Sequence, residues 1–426
     1  MFLVYRFFTI VFYPLLIILI FFRKILKKEN NRYKEKIFKR NILKNQLKED
    51  SVIWFHAASI GEITSIIPLI HLMIKEKSKI KIIVTTITVS SSEIVKNEFK
   101  ENKNVIHHFL PLDVPHLVKD FIYKCNPSLI VFVDSEIWPN FIFQIKKNKI
   151  PFVLINGRIT KKTFNRWSMF RKFANENFSA FNLCLAANNE SADHLRVLGA
   201  QNVIFIGNLK FTFNKNRLNN EEFISNDGFK NRKIWLCAST HDDEELFCME
   251  THREIRKVNK NVITIIAPRH INRINKIFKQ SQKYSFHTQV VKNFSSPINK
   301  DTEIILINAF GILKNYYNCC NSVFIGKSTL KELISNAGQN PIEAAKFGCK
   351  IYSGPYVYNF REIYEYLEKI NCAEKINNFK ELAEKINLDF KKNMKEKSNL
   401  SKIENYGEEI LKQTYNELKK INKNEI

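Results

Sequence analysis

Short runs dominated by apolar residues recur along the chain, at 52–55, 80–86, 105–110, 128–133 and 151–155, and again at 234–238, 262–267, 304–307 and 323–325. A strand buried on one face alternates apolar with polar residues. Leu129-Ile-Val-Phe-Val133 does not alternate, so both of its faces must be covered. The stretches between these runs, such as 63–74 and 90–99, have helical spacing and can supply the cover. This pattern predicts an α/β protein with parallel sheets. A length of 426 residues exceeds one ordinary core and predicts two such domains. The reading divides the chain into an apolar segment 1–22, a basic segment 23–50, a first domain 51–212, a polar linker 213–232, a second domain 233–390 and a helical tail 391–426.

Open α/β sheets bind ligands outside the carboxyl ends of their strands, so the residues following each apolar run are the candidates for chemistry. Ser51 to Glu62 runs from a strand into a helix start. Ser59 and Glu62 have the spacing of a capping box, which by itself accounts for Glu62. Gly61 weakens the first helical turn by about 1 kcal/mol, a cost that makes sense if a ligand must approach the backbone there. Capping and function both remain open for Glu62 on this ground. Asp134 and Glu136 follow the run ending at Val133, and Asn156 and Arg158 follow the next. A solvated turn would explain the two acids, a structural ion pair would explain Arg158, and Trp138-Pro139 has the form of a helix start. Lys210 is either a surface lysine or a cation beside the site.

In the second half, Ser239, Thr240 and His241 end a strand, with Thr240 expected as an N-cap and Asp242 to Glu245 as an acidic first turn. Pro268-Arg269-His270 ends another strand, where the planar fork of arginine suits a phosphate. Asn340-Pro341-Ile342-Glu343 reads as a helix start with Asn as the cap and Pro at the first position. Its free N–H groups favour an anion.

A net charge of +25 points to an anionic partner, although Lys, Asn and Ile are over-used throughout. No nucleic-acid-binding motif accompanies the charge, and neither a Gly-x-Gly-x-x-Gly fingerprint nor a Walker loop is present. The eight cysteines have no metal-site or disulfide-framework spacing, which fits a reducing compartment. Met1 to Phe22 is apolar apart from Arg6, Thr9 and Pro14, and as one helix it would reach about 33 Å, enough to cross a bilayer. Arg23, Lys24, Lys27, Lys28, Arg32, Lys34, Lys36, Lys39 and Arg40 follow it, which places the globular part in the cytoplasm and suits anionic lipid headgroups. Arg6 and Pro14 also allow a helix lying in the interface.

Several motifs stand in one order: His56-Ala-Ala-Ser59-Ile-Gly61-Glu62, Asp134-Ser-Glu136-Ile-Trp-Pro-Asn140, Asn156-Gly-Arg158, Gly207-Asn-Leu-Lys210-Phe211, Ser239-Thr240-His241-Asp-Asp-Glu-Glu245, Pro268-Arg269-His270 and Asn340-Pro341-Ile342-Glu343-Ala-Ala345. The set spans almost the whole chain and resembles the bacterial 3-deoxy-D-manno-octulosonic acid (Kdo) transferases, inner-membrane enzymes of lipopolysaccharide core synthesis. The resemblance implies the GT-B glycosyltransferase architecture: two Rossmann-like domains facing a cleft, the first binding acceptor and the second the CMP-sugar donor, with an N-terminal membrane-anchor helix. It implies inverting transfer of Kdo from CMP-Kdo to a phosphorylated lipid A precursor (lipid IVA). It gives Glu62 the role of general base, with Asp134 and Lys210 as catalytic partners. Pro268, Arg269, Phe310, Gly311, Ile312, Asn340, Pro341, Ile342 and Glu343 would bind CMP. Ser59, Gly61, Glu136, Arg158, Ser239, Thr240 and His241 would line the acceptor side and the cleft. No metal or other cofactor is implied, and the partners are CMP-Kdo, the lipid acceptor and anionic inner-membrane lipids, with no nucleic acid.

The chain departs from the family's pattern at several places. Asp134 stands where Glu is usual, Gly326-Lys327 where two glycines are, Gly338-Gln339 where Gly-His is, Asn308 where Asp is, and Ile312 where Glu is. The segment 330–337 is also longer than usual. Two rivals therefore stand beside an active Kdo transferase: a GT-B enzyme for another nucleotide sugar, and an inactive lipid-binding homologue. Retention of Glu62, Arg269, Asn340 and Glu343 argues against the second.

Overall fold

Fourteen strands form two separate sheets in the computed structural model, which describes residues 1–38, 51–77, 80–212, 226–332, 337–392 and 397–422. Most of the expected linker, the end of the basic segment from Lys39 on, and residues 333–336 of the long segment fall outside the described residues. The chain divides into two compact units, 1–214 with 406–426, and 215–405.

The first unit contains β1 (Val52–His56), β2 (Lys81–Thr86), β3 (Val105–Phe109), β4 (Leu129–Val133), β5 (Phe152–Gly157), β6 (Leu183–Ala186) and β7 (Val203–Phe205). Their order is β3-β2-β1-β4-β5-β6-β7, and every pairing is parallel. The chain starts in the middle at β1, winds outward to β3, then returns to the other side of β1 at β4. The topological switch point therefore lies between β1 and β4. All five residues of β1 and of β4 are buried, as the apolar runs Val52–Phe55 and Leu129–Val133 require, and His56 at the end of β1 is buried with them. Trp54, Phe121, Phe132 and Phe141 pack as a ring cluster on one face, with Trp54 Nε1–H donating to Thr85 Oγ1 at 2.8 Å. The C-terminal end of the chain completes this unit. Tyr406 packs edge-on against Phe211 with centroids 5.1 Å apart, and Gly407 lies so close that a Cβ there would stand 2.3 Å from Phe211 O.

The second unit repeats the plan with β8 (Lys233–Thr240), β9 (Val262–Pro268), β10 (Thr288–Val291), β11 (Ile304–Ile307), β12 (Ser322–Ile325), β13 (Lys350–Ser353) and β14 (Ala373–Lys375). The order is β10-β11-β9-β8-β12-β13-β14, again all parallel. Its switch point lies between β8 and β12.

The N-terminal segment is not the single helix the apolar run suggested. Phe2–Val11 and Tyr13–Ile25 are two helices bent by 53°, and no single described helix is long and apolar enough to cross a membrane. Pro14, in the first turn of the second helix, has no N–H to continue the first helix's ladder. One side of the pair is docked on the first unit. Tyr5 Oη–H donates to Asp113 Oδ2 at 2.7 Å, Asn140 Nδ2–H donates to Thr9 Oγ1 at 3.2 Å, and Phe2 stacks on Phe143 at 4.4 Å. Asp113 also accepts the N–H groups of Asn140 and Phe141 at 3.1 and 3.0 Å, so one carboxylate caps the helix Pro139–Lys147 and pins the N-terminal segment to it.

The basic segment is less free for lipid than its composition suggested. Lys36 is buried and donates to Glu29 Oε2 at 2.6 Å and Ile87 O at 2.8 Å. Arg23 donates to Glu29 and Arg32 to Glu35, at 3.0 and 2.6 Å. Lys27, Lys28 and Lys34 stay exposed.

Candidate functional site

At the switch point of the first sheet, β1 and β4 deliver carboxylates from two sides. The helix Ile60–Glu76 starts directly after β1 with Ser59 as N-cap, and its third residue is Glu62. Ser59 Oγ accepts the Glu62 N–H at 3.4 Å and donates to Glu62 Oε1 at 2.7 Å, while Ala58 N–H donates to Oε2 at 2.8 Å. The cap expected from the sequence is present, with one change: the carboxylate takes the N–H of Ala58. Each oxygen keeps a lone pair beyond these bonds, so capping and chemistry do not compete for the same electrons.

Asp134 follows β4 at φ +63, a left-handed conformation that costs an aspartate about 1 kcal/mol. Its carbonyl accepts the Arg158 N–H at 3.2 Å, which ties the ends of β4 and β5 together. Lys210 Nζ lies 3.8 Å from Asp134 Oδ2, and Lys210 Cε covers Gly61, where a Cβ would meet it at 3.9 Å. That is an ordinary contact. Gly61 is therefore not required by packing, and the space above it belongs to Lys210 and to whatever binds beside it.

The lysine is placed by a residue that the sequence reading left without a role. Asn156, at φ +51, accepts the Leu209 N–H on Oδ1 at 2.9 Å and so holds the turn Leu209–Phe211 at the end of β5. Its Nδ2 is buried with no partner among the described residues. Glu136 faces His56 Nε2 at 3.3 Å and accepts Trp138 Nε1–H at 2.8 Å. Ser59, Gly61, Glu62, Asp134, Glu136, Arg158 and Lys210 thus belong to one unit and one sheet edge.

The electrostatics follow from this crowding. Burial raises the pKa of Glu62 above the ordinary glutamate value, and the charges of Asp134 and Glu136 push it further, against the bonds from Ser59 and Ala58. Burial also raises Asp134, while Lys210 and Arg158 pull it back. A carboxylate with a raised pKa is a stronger proton acceptor once ionised.

In the second unit, Ser239, Thr240 and His241 stand at the same sheet edge as Arg269. Arg269 N–H donates to Thr240 O at 2.9 Å. Thr240 does not cap a helix: it ends β8, its hydroxyl donates to Glu245 Oε1 at 2.8 Å, and the helix Glu244–Val258 begins after Asp243. Glu245 is gripped in turn by Arg273 at 3.0 and 2.8 Å, so the expected acidic first turn is spent on packing.

Glu244, expected only as part of the acidic first turn, fills the switch point between β8 and β12. Its carboxylate is buried and accepts the N–H groups of His241, Lys327, Ser328 and Thr329 together with the Thr329 hydroxyl. Successive N–H groups of this kind form an anion nest, and here the anion is the protein's own. Asn340 Oδ1 accepts the Ile342 N–H at 3.1 Å, and the short helix Ile342–Lys346 starts one residue later than expected, with Pro341 in the cap position. Glu343 is exposed, Pro268 is buried at the end of β9, and Ile312 leads into the helix Leu313–Cys319. Phe310 is 66% exposed beside Gly311 at φ +82.

A family model described as 3-Deoxy-D-manno-octulosonic-acid transferase (kdotransferase) matches residues 31–213. The 3-deoxy-D-manno-octulosonic acid transferase of Haemophilus influenzae is 30% identical over 315 residues, which are 73% of this chain and 72% of that one. The chain belongs to the Kdo transferase family. A second Kdo transferase, from Rickettsia bellii, is 28% identical over 82% of each chain. Among solved structures, a glycosyltransferase from Rickettsia africae aligns with 88% of this chain and 99% of its own at a TM-score of 0.58 and 13% identity, a likeness of fold. Two parallel seven-stranded sheets are what this Kdo transferase shares with GT-B glycosyltransferases.

If Glu62 is the group whose ionisation activates the enzyme, kcat/KM falls as pH drops through its pKa. Asp134→Asn removes a charge that raises that pKa, so the acid limb of the pH–rate profile should move to lower pH whatever the loss in absolute rate. A limb that stays in place would show that another group titrates.

Proposed function

We propose that this Kdo transferase moves Kdo from CMP-Kdo to a hydroxyl of a phosphorylated lipid A precursor, in one inverting displacement with Glu62 as general base. The observation that carries the reading is the held carboxylate of Glu62 beside Asp134 and Lys210 at the switch point of the first sheet, in a member of this family. The acceptor oxygen attacks the anomeric carbon and gives its proton to Glu62. The bond from that carbon to the phosphate oxygen breaks, and its electron pair leaves with CMP. A phosphate is a good leaving group, so no strong general acid is needed. A positioned base contributes roughly 10²–10⁴-fold to such a step. Lys210 offsets the charge of Asp134, so that a third negative group, the forming alkoxide, meets less repulsion.

On the donor side, the exposed guanidinium of Arg269 suits the phosphate of CMP and the exposed ring of Phe310 offers a face for the base. Asn340 and Glu343 offer polar groups to the ribose. The reaction is proposed to run without a metal or other cofactor.

The docked N-terminal helices support a seat in the interface of the bacterial inner membrane, with the globular part in the cytoplasm. Their inward side is committed to Asp113, Asn140 and Phe143, while Leu3, Phe7, Phe8, Leu15, Phe21 and Phe22 are at least half exposed on the rest of the surface. Exposed Lys27, Lys28 and Lys34 follow, as anionic headgroups favour.

Incubation of the full-length protein with CMP-Kdo and a phosphorylated lipid A precursor should give an acceptor heavier by whole Kdo units by mass spectrometry. An acceptor of unchanged mass, or a product only with another nucleotide sugar, would overturn the reading. Separately, Phe7→Ser, Phe8→Ser, Phe21→Ser and Phe22→Ser combined should abolish co-sedimentation with phosphatidylglycerol vesicles while leaving Tm within a few degrees. Undiminished vesicle binding would place the membrane contact elsewhere.

A further inference from the structure

At the carboxyl edge of the second sheet, two cations flank one segment of chain. Arg269 leaves β9 with its N–H on Thr240 O at 2.9 Å, and β12 leads into Gly326 with its N–H on Ala238 O at 2.9 Å. Ser239 and Thr240 therefore run between Arg269 on one side and Gly326-Lys327 on the other. Gly326 presses against that segment: a Cβ there would stand 2.6 Å from both Ser239 O and Thr240 Cα. Lys327 is thus the first residue after β12 that can carry a side chain.

Lys327 carries that side chain at a cost. Its φ is +58, a left-handed conformation that disfavours any residue with a Cβ. The conformation is imposed by Glu244, which draws the N–H groups of 327, 328 and 329 onto one carboxylate, while the Lys327 carbonyl accepts the Gly338 N–H at 2.6 Å. Glycine would meet the same bonds without strain. Neither Lys327 nor Arg269 forms an ion pair with a carboxylate among the described residues; Glu244, which accepts the Lys327 N–H, has its oxygens occupied by N–H and hydroxyl donors. Partial burial and the Arg269 charge both lower the pKa of Lys327; burial first, and then the charges of Lys327 and His270, lower that of His241, whose ring lies 5.6 Å from His270. Uncompensated like charges at one sheet edge raise the energy of the free protein, and an anion between them would relieve it.

We propose that Lys327 is a second phosphate-binding cation of the donor site, acting with Arg269 on the phosphate oxygens of the donor nucleotide. This rests on the reading of CMP-Kdo as donor. As the bond to the anomeric carbon breaks, the electron pair passes to the phosphate, which changes from a diester with one negative charge to a monoester approaching two. A cation pair holds the second state more tightly than the first, so Lys327 lowers the barrier as well as binding the donor.

The test uses the full-length protein and its Lys327→Gly and Lys327→Arg variants, with CMP and uncharged cytidine titrated by calorimetry and kcat and KM measured with CMP-Kdo. Lys327→Gly should weaken CMP about tenfold or more, as expected for losing one charge-assisted contact, leave cytidine binding unchanged, and lower kcat. Lys327→Arg should retain most of both. Glycine suits φ +58, so Tm should hold or rise, and the loss cannot then be attributed to unfolding. A wild-type protein that binds no CMP and turns over no CMP-Kdo would overturn the donor reading itself. Wild type binding CMP, with Lys327→Gly unchanged in CMP affinity and kcat, would overturn only the role of Lys327. Equal weakening of CMP and cytidine would also overturn it.

Discussion

Burial of both faces of two parallel sheets is the constraint from which the rest of this protein follows. A strand such as Leu129–Val133, fully covered above and below, has no place for a functional side chain along its length. Polar chemistry can stand only beyond the strand ends, and winding outward from a central first strand opens a crevice where the order reverses. In the first sheet that crevice receives Glu62 from one side and Asp134 from the other. In the second it is closed by Glu244, which knits the loop after β12 onto the loop after β8. One plan serves two ends: the first crevice keeps its carboxylates partly free, and the second uses a carboxylate as mortar and leaves cations facing out.

The placement of charge has an energetic logic. Three acids crowd the first crevice near Lys210 and Arg158, and burial makes the ionisation of Glu62 and Asp134 harder. Such a cluster is poor material for stability, because a buried charge must be paired to be neutral in cost. It is good material for taking a proton, because a carboxylate whose pKa is raised is a stronger base once ionised. Asn156 and His56 make no hydrogen bond to Glu62, yet they fix the Lys210 turn and Glu136 through hydrogen bonds of 2.9 and 3.3 Å. Their contribution is positional. The left-handed backbones at Asp134, Asn156, Ser239 and Lys327 all lie at these two sheet edges, where local strain is held by the packed strands behind it.

Much of this was legible in the sequence, and the exceptions have physical causes. Parallel sheets followed from apolar runs that do not alternate, and the Ser59–Glu62 cap followed from spacing, because both are local. Thr240 was misread as a cap because its hydroxyl is spent on Glu245, which Arg273 grips from another element, a partnership with no local signature. The role of Glu244 was hidden because three of its four N–H partners, on Lys327, Ser328 and Thr329, lie more than 80 residues further along the chain. The N-terminal segment counted correctly as apolar length, yet the sequence could not say that Asp113 and Asn140 would hold its inner side. The basic stretch was over-read because the count of Lys and Arg left out Glu29 and Glu35, which are buried and take up Arg23, Arg32 and Lys36.

The central claim is that the carboxylate which caps the helix Ile60–Glu76 also removes the acceptor's proton. Glu62→Gln separates the two duties, since the amide keeps the shape and an oxygen for the cap but cannot take the proton. Turnover of Glu62→Gln with CMP-Kdo and lipid acceptor, measured beside its Tm and its affinity for CMP, is the direct test. Loss of the roughly 10²–10⁴-fold expected of a general base, with CMP affinity unchanged and stability lowered by no more than the 0.5–2 kcal/mol typical of a cap, is the predicted result. Turnover equal to that of the unaltered protein would contradict the account and leave Glu62 as a cap alone.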